Sequence, residues 1–106
     1  MDENQFPVAQ VVKKARENQG LSVRGFAAEF DRIIMAGQNK PYSFSAFSRW
    51  ENGLDEPSTD WLLLVITVFQ DWKREFGINC LCAKLPEIYA RDERGKLTML
   101  IKQSAS

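Results

Sequence analysis

One local signal occurs twice in this chain, and it narrows the fold more than any other feature. Leu21-Ser22 is followed by Phe26, and Tyr42-Ser43 is followed by Phe47. In each case a serine hydroxyl can accept a first-turn backbone N–H, capping a helix start. The apolar residue before the serine and the phenylalanine four residues after it close over that start as a hydrophobic staple. Two short capped helices are therefore expected, over 22–30 and 43–51.

The flanking segments extend this helical reading. Val8, Val11, Val12 and Ala15 share one face of a helix over about 7–18, with Pro7 suited to its first position and Gly20 to its end. The apolar face of the second helix continues through Ala27, Phe30, Ile33 and Ile34, which predicts a helix running past Phe30, with Gly37 as its stop. Gln38-Asn39-Lys40-Pro41 reads as a loop, because Pro41 biases Lys40 away from helix. The third helix spans about 44–51 and ends at Asn52-Gly53. Ser58 caps a fourth, with Asp60 at its positive end, and the pattern carries it through Trp72 and Phe76 to Gly77. Beyond Gly77, Glu87–Arg91, a turn at Asp92–Gly95 and Lys96–Ile101 read as a β-hairpin. Residues 1–77 form the expected main domain and 78–106 a C-terminal extension, its hairpin packing on helix four or on a partner subunit. Ser104-Ala105-Ser106 reads as a frayed end.

Composition excludes several functions. The chain has no histidine, which removes the commonest general base and metal ligand. Its two cysteines, Cys80 and Cys82, cannot fill a tetrahedral metal site and stand too close for a good bridge, so reduced, half-buried thiols are expected. No metal, cofactor or enzymatic activity is predicted. Glu51, Asp55, Glu56 and Asp60 read better as solvated loop charges than as a paired-carboxylate active site. The N-terminus lacks the basic-then-apolar layout of a signal peptide. The apolar run Trp61–Phe69 is too short for the roughly 20 residues of a membrane span. A cytoplasmic protein without membrane contact is the expectation.

A block of residues then points to a family. Arg16-Glu17-Asn18-Gln19-Gly20-Leu21-Ser22, Phe26-Ala27, Ser43, Ser48-Arg49-Trp50-Glu51-Asn52-Gly53 and Pro57-Ser58-Thr59-Asp60-Trp61-Leu62-Leu63 together resemble a lambda-repressor-like helix-turn-helix of the Cro/XRE type, across about residues 8–69. The resemblance implies a mainly α fold, a four- to five-helix lambda-repressor-like bundle with the C-terminal β-hairpin added. It implies that helix three lies in the major groove of double-stranded DNA while helix two crosses the backbone. Base contacts would then fall to Phe44, Ser45, Ser48 and Arg49. Arg49 can fork onto a guanine edge, and Phe44 can meet a thymine methyl or instead pack beneath the connecting segment. Phosphate contacts would fall to Ser22, Arg24, Lys40, Ser43 and Asn52. The resemblance also implies a buried Arg16–Glu51 salt bridge, with Phe47 and Trp50 facing the core.

Three features depart from the pattern. The turn between helices two and three normally takes about four residues, whereas Asp31 to Ser43 intervene here, roughly ten more. Either helix two is longer by about two turns, or the insertion is a loop near the DNA. Val23 stands where the family has a glutamine that contacts phosphate and base. Leu54, Asp55 and Glu56 replace basic residues, and the two carboxylates would repel phosphate.

Charge and the fourth helix complete the reading. Fourteen cations balance fourteen anions, which argues against nucleic acid until the chain is divided. Residues 8–50 carry a net +4, residues 51–60 carry −4, residues 61–106 carry +2 and the N-terminus −2. A basic face on helices one to three, bounded by an acidic loop, is therefore expected, with salt-dependent binding. Helix four is apolar all round and must be covered on every face. Burial within the chain is one solution. The other is a homodimer interface of Trp61, Leu64, Val68 and Trp72 with the hairpin, as helix-turn-helix proteins commonly pair on two half-sites. The expected function is a sequence-specific DNA-binding transcriptional regulator, a repressor. The alternatives are an antitoxin-like regulator with a protein partner and a protein-interaction module without DNA binding.

Overall fold

The computed structural model describes residues 6–100. Among them the chain forms α1 (Val8–Asn18), α2 (Val23–Ala28), α3 (Phe44–Glu51), α4 (Thr59–Val68) and α5 (Trp72–Lys84), followed by an antiparallel hairpin of β1 (Tyr89–Arg91) and β2 (Leu97–Met99). The fold is thus mainly helical with a small C-terminal hairpin. The expected frayed end and Ile101 of the second arm lie outside the described residues.

Two glycines end helices as the sequence requires. Gly20 (φ 66°) and Gly53 (φ 72°) adopt the left-handed conformation that side-chain-bearing residues avoid. After each glycine the chain folds back, the Leu21 amide donating to the Arg16 carbonyl (3.2 Å) and the Leu54 amide to the Arg49 carbonyl (2.9 Å). Carbonyls at the ends of α1 and α3 are thereby satisfied in paired Schellman turns.

The predicted long second helix is not formed. α2 stops at Ala28 and unwinds into tight turns, in which Phe30 donates to Ala27, Asp31 to Ala28 and Ile33 to Phe30. Such i→i+3 turns stack residues three apart on one side. Phe30 and Ile33 therefore both enter the core, while Ile34 is 52% exposed. The rest of the connection to α3 is a loop, in which Met35 and Tyr42 turn inward and Lys40 stays exposed.

The core is predominantly aromatic. The Phe30 ring sits at its centre, 5.3–6.0 Å from the rings of Phe26, Phe47, Trp61, Phe69, Trp72 and Phe76. Several of these pairs meet edge to face, as ring quadrupoles favour. Trp61 is 1% exposed, and its Nε1–H has no acceptor among the described residues.

The fourth helix is also shorter than predicted. It ends at Val68, and Phe69 takes an extended conformation (ψ 146°) that turns its ring inward. Asp71 then caps a new helix, accepting from the Lys73 amide at 3.0 Å. The Lys73 ammonium lies 2.8 Å from Asp71 Oδ2, 3.5 Å from Glu29 Oε1 and over the rings of Phe69 and Trp72. Lys73 can be buried because two carboxylates and two ring faces compensate its charge. It also holds the Asp71 carboxyl below its ordinary pKa.

Gly77 is not the predicted stop; it lies within α5, and the expected boundary at 77/78 falls inside that helix. A Cβ at Gly77 would meet Ile66 Cγ1 and Val65 Cγ1, each at 3.0 Å. Gly77 therefore lets α4 and α5 approach closely. Replacing it by alanine gains about 1 kcal/mol of helix propensity. It also crowds two stiff β-branched side chains, at about 1–3 kcal/mol. The expected net effect of Gly77→Ala is destabilisation of about 1 kcal/mol, read by urea titration. A more stable variant would show that α4 and α5 can separate without loss.

The hairpin packs through β1 against α5, a helix of which only the first turns, 72–77, belong to the predicted fourth helix. Arg91 donates to Glu75 Oε1 and Asn79 Oδ1, both at 2.8 Å, and Tyr89 and Leu97 rest on the core. Ile88, Met99 and Leu100 are exposed.

Candidate nucleic-acid interface

α3 owes its orientation to two large side chains and one ion pair. Phe47 and Trp50, three residues apart, are buried against Trp61 and Phe26. At the end of α3, Arg16 grips Glu51 with two donors, Nε to Oε2 at 2.6 Å and Nη2 to Oε1 at 3.2 Å. Arg16 Nη1 also donates to the Leu21 carbonyl at 2.9 Å. The side chains are 20% and 10% exposed, so the pair is half-buried, less enclosed than the sequence implied. The hydrogen bond to Glu51 raises the Arg16 pKa, against the opposing effect of burial.

The opposite face of α3 carries Ser45, Ser48, Arg49 and, just past the helix, Asn52, spaced along one side. Ser45, Arg49 and Asn52 are exposed and Ser48 is half-buried. Arg49 is not free: its Nε lies 3.8 Å from Asp55 Oδ2, with both side chains 55% exposed. An ion pair that open is weak and easily exchanged. The Asn52 amide already donates to the Ser48 carbonyl at 2.8 Å, a local use that a phosphate would have to displace.

Phe44 does not project from this face. It is half-buried against the core, and the Arg24 guanidinium covers its ring at 3.7 Å from the centroid. The packing role is thus the one present, and the ring face is closed to a thymine methyl. Arg24, Asp31, Lys40, Tyr42, Ser43 and Phe44 line an open cleft of about 320 Å³ between α2 and the start of α3.

The two serines differ. Ser22 accepts from the Gly25 amide at 3.0 Å, whereas Ser43 has the backbone of a cap but makes no side-chain bond to α3. Its hydroxyl remains available to an external acceptor.

The acidic loop is less negative than its composition implied. Glu51 is held by Arg16, and Glu56 lies 3.7 Å from Lys84, whose Nζ also donates to the Pro57 carbonyl at 2.8 Å. Asp55 faces Arg49. Repulsion of phosphate by this segment therefore rests on Asp55, whose partner is itself exposed, and on Asp60, exposed on the first turn of α4. The resemblance implied the pairing of Glu51 with Arg16, whereas no signal in the sequence specified that of Glu56 with Lys84 or of Asp55 with Arg49.

The four residues assigned to a dimer interface separate. Trp61 is enclosed in its own core and Trp72 stacks on Phe26 (5.7 Å, 26° between planes). Trp61 is thus closed off from any partner, whereas Trp72 is half-buried. Leu64 and Val68, with Leu63, which the sequence reading passed over, are 37–39% exposed on α4.

Cys80 is buried and Cys82 half-buried, both as free thiols on α5. Burial pushes both thiol pKa values up, Arg91 partly offsetting this at Cys82. Among the described residues, no three acidic or thiol side chains converge as metal ligands, and no helix is long and apolar enough to cross a membrane. No protein-family model, curated protein or solved structure matches the chain.

Proposed function

We propose that this chain is a lambda-repressor-like helix-turn-helix protein that binds double-stranded DNA in a sequence-specific way and acts as a cytoplasmic transcriptional repressor without a cofactor. The observation that carries this reading is the orientation of α3. Its aromatic side is locked inward by Phe47, Trp50 and the Arg16–Glu51 pair, while Ser45 and Arg49 stand exposed on the opposite face and Arg24 and Lys40 line the cleft at its start. Small polar donors and a forked cation on one exposed helix face suit a major-groove edge. The free Ser43 hydroxyl, with Lys40, suits the adjoining phosphates. In this reading two copies bind a palindromic operator and block polymerase. The exposed Leu63, Leu64 and Val68 on α4 support such pairing.

The test is selection from a random duplex pool at about 100 mM salt, with Arg49→Ala and Asp55→Asn alongside. An enriched motif with two half-sites about one helical turn apart is expected. Asp55→Asn, which releases Arg49 and removes a charge facing phosphate, is expected to tighten binding by up to about fivefold. Absence of any enriched motif would overturn the reading, and a single unrepeated half-site would overturn the dimer. Enrichment unchanged in Arg49→Ala would remove that residue's role.

The second reading is a protein-interaction module or antitoxin-like partner-binding protein. It is favoured by the same apolar strip on α4 and by the tether of Arg49 to Asp55. Loss of DNA selectivity together with a stable complex through α4 would mark it.

A further inference from the structure

Resting on the DNA-binding reading, we propose that Arg24 determines sequence specificity by reading a guanine edge, with Phe44 as the platform that aims it. The stack is the first support. At 3.7 Å from the ring centroid, the guanidinium carbon is in van der Waals contact with the face of Phe44. Phe44 opens α3 and rests on the core, so the platform is fixed to the helix that carries the other candidate contacts. Stacking occupies one flat side of the guanidinium and leaves its N–H edge free.

The second support is the absence of a competing partner. No carboxylate or carbonyl among the described residues hydrogen-bonds Arg24, which is exposed on the first turn of α2. Arg49, the arginine that the sequence favoured as the reader, instead faces the Asp55 carboxylate, 3.8 Å from its Nε. An arginine held flat and unpaired has lost rotamer freedom before binding, so less is lost when it docks.

The third support distinguishes a base from a phosphate. A phosphate needs only charge, and a mobile lysine supplies that. Guanine presents O6 and N7 side by side, which a planar fork matches with two bonds. Asp31 lines the same cleft. Its carboxylate repels phosphate there, yet tolerates the amino groups that base edges carry in the major groove. A stacked fork beside a carboxylate therefore suits a base edge better than the backbone.

The experiment compares wild type, Arg24→Lys and Phe44→Leu by selection from the same duplex pool, followed by titrations on the selected site and on unrelated duplex at several salt concentrations. Arg24→Lys keeps the charge and loses the fork. It is expected to lose one guanine per half-site from the motif and about tenfold in affinity for the selected site. Affinity for unrelated duplex and the salt slope should stay unchanged, because the cation count is the same. Phe44→Leu keeps an apolar side chain without the π face, and should blur preference at that same position while thermal unfolding confirms a folded protein. A wild-type motif retained in Arg24→Lys, with selected-site affinity within about twofold, would overturn the proposal and leave the DNA-binding reading standing. A wild-type protein that enriches no motif would overturn both.

Discussion

Replacing Phe30 with alanine is expected to cost about 3–5 kcal/mol of folding stability, the largest effect of any single substitution considered. The ring is 1% exposed and lies within 6.0 Å of the rings of Phe26, Phe47, Trp61, Phe69, Trp72 and Phe76. Truncation removes its buried apolar surface and leaves a cavity that rigid aromatic neighbours collapse into poorly. A domain of this size holds only about 5–15 kcal/mol in total, so the variant should unfold at a temperature lower by about 15 °C or more. Ile34→Ala is the control. Ile34 belongs to the same apolar pattern but is 52% exposed, and its loss should change stability by about 0.5 kcal/mol or less. Similar costs for the two variants would mean that Phe30 is not at the centre of the core.

Glu51→Ala is expected to cost about 2–3 kcal/mol, because it strands the half-buried Arg16 guanidinium. That figure lies below the range for fully buried pairs, in keeping with side chains that are 20% and 10% exposed. The bidentate geometry, with donors at 2.6 and 3.2 Å, sets it apart from the open Arg49–Asp55 pair. Arg16→Met combined with Glu51→Leu removes both charges and should recover much of the loss, since the cost comes from the unpaired charge. Chemical denaturation of the two single variants and the double variant closes the cycle. Additive losses would show that the two side chains act independently. Because the pair ties α1 to the end of α3, the proposed DNA-binding function implies that Glu51→Ala should also weaken binding beyond what unfolding explains.

Much of the local structure was legible because capping and periodicity are local properties. Ser22, Ser58, Gly20 and Gly53 mark helix ends through interactions within a few residues, and the structure has helix ends at each. The failures share one physical cause. Residues 30–34 and 69–77 carry apolar patterns compatible with continuous helix, but the core needed Phe30, Ile33 and Phe69 in positions that a continuous helix does not supply. Tertiary packing overrode the local pattern at both places. Gly77 illustrates the reverse error: a glycine that reads as a terminator is required mid-helix by a close neighbour.

The candidate interface divides in the same way. Ser45, Ser48 and Arg49 could be placed on one helix face from spacing alone, and the Arg16–Glu51 pair from the family pattern. The cover of Arg24 over Phe44, the tether of Arg49 to Asp55 and the pairing of Glu56 with Lys84 could not, because each depends on how separate segments meet.

By itself, then, the sequence determined where α1 to α4 begin, where α1 and α3 end, which residues of α3 face inward, and that cations gather on the first half of the chain. The tertiary structure decided where the long apolar runs break, which of the apolar residues of α4 stay exposed, and that Arg24 lies over Phe44 while Arg49 faces Asp55. Caps, glycines and periodicity act within a turn or two of chain. Burial of an aromatic core and charge pairing across segments are settled only when the whole chain has closed around them.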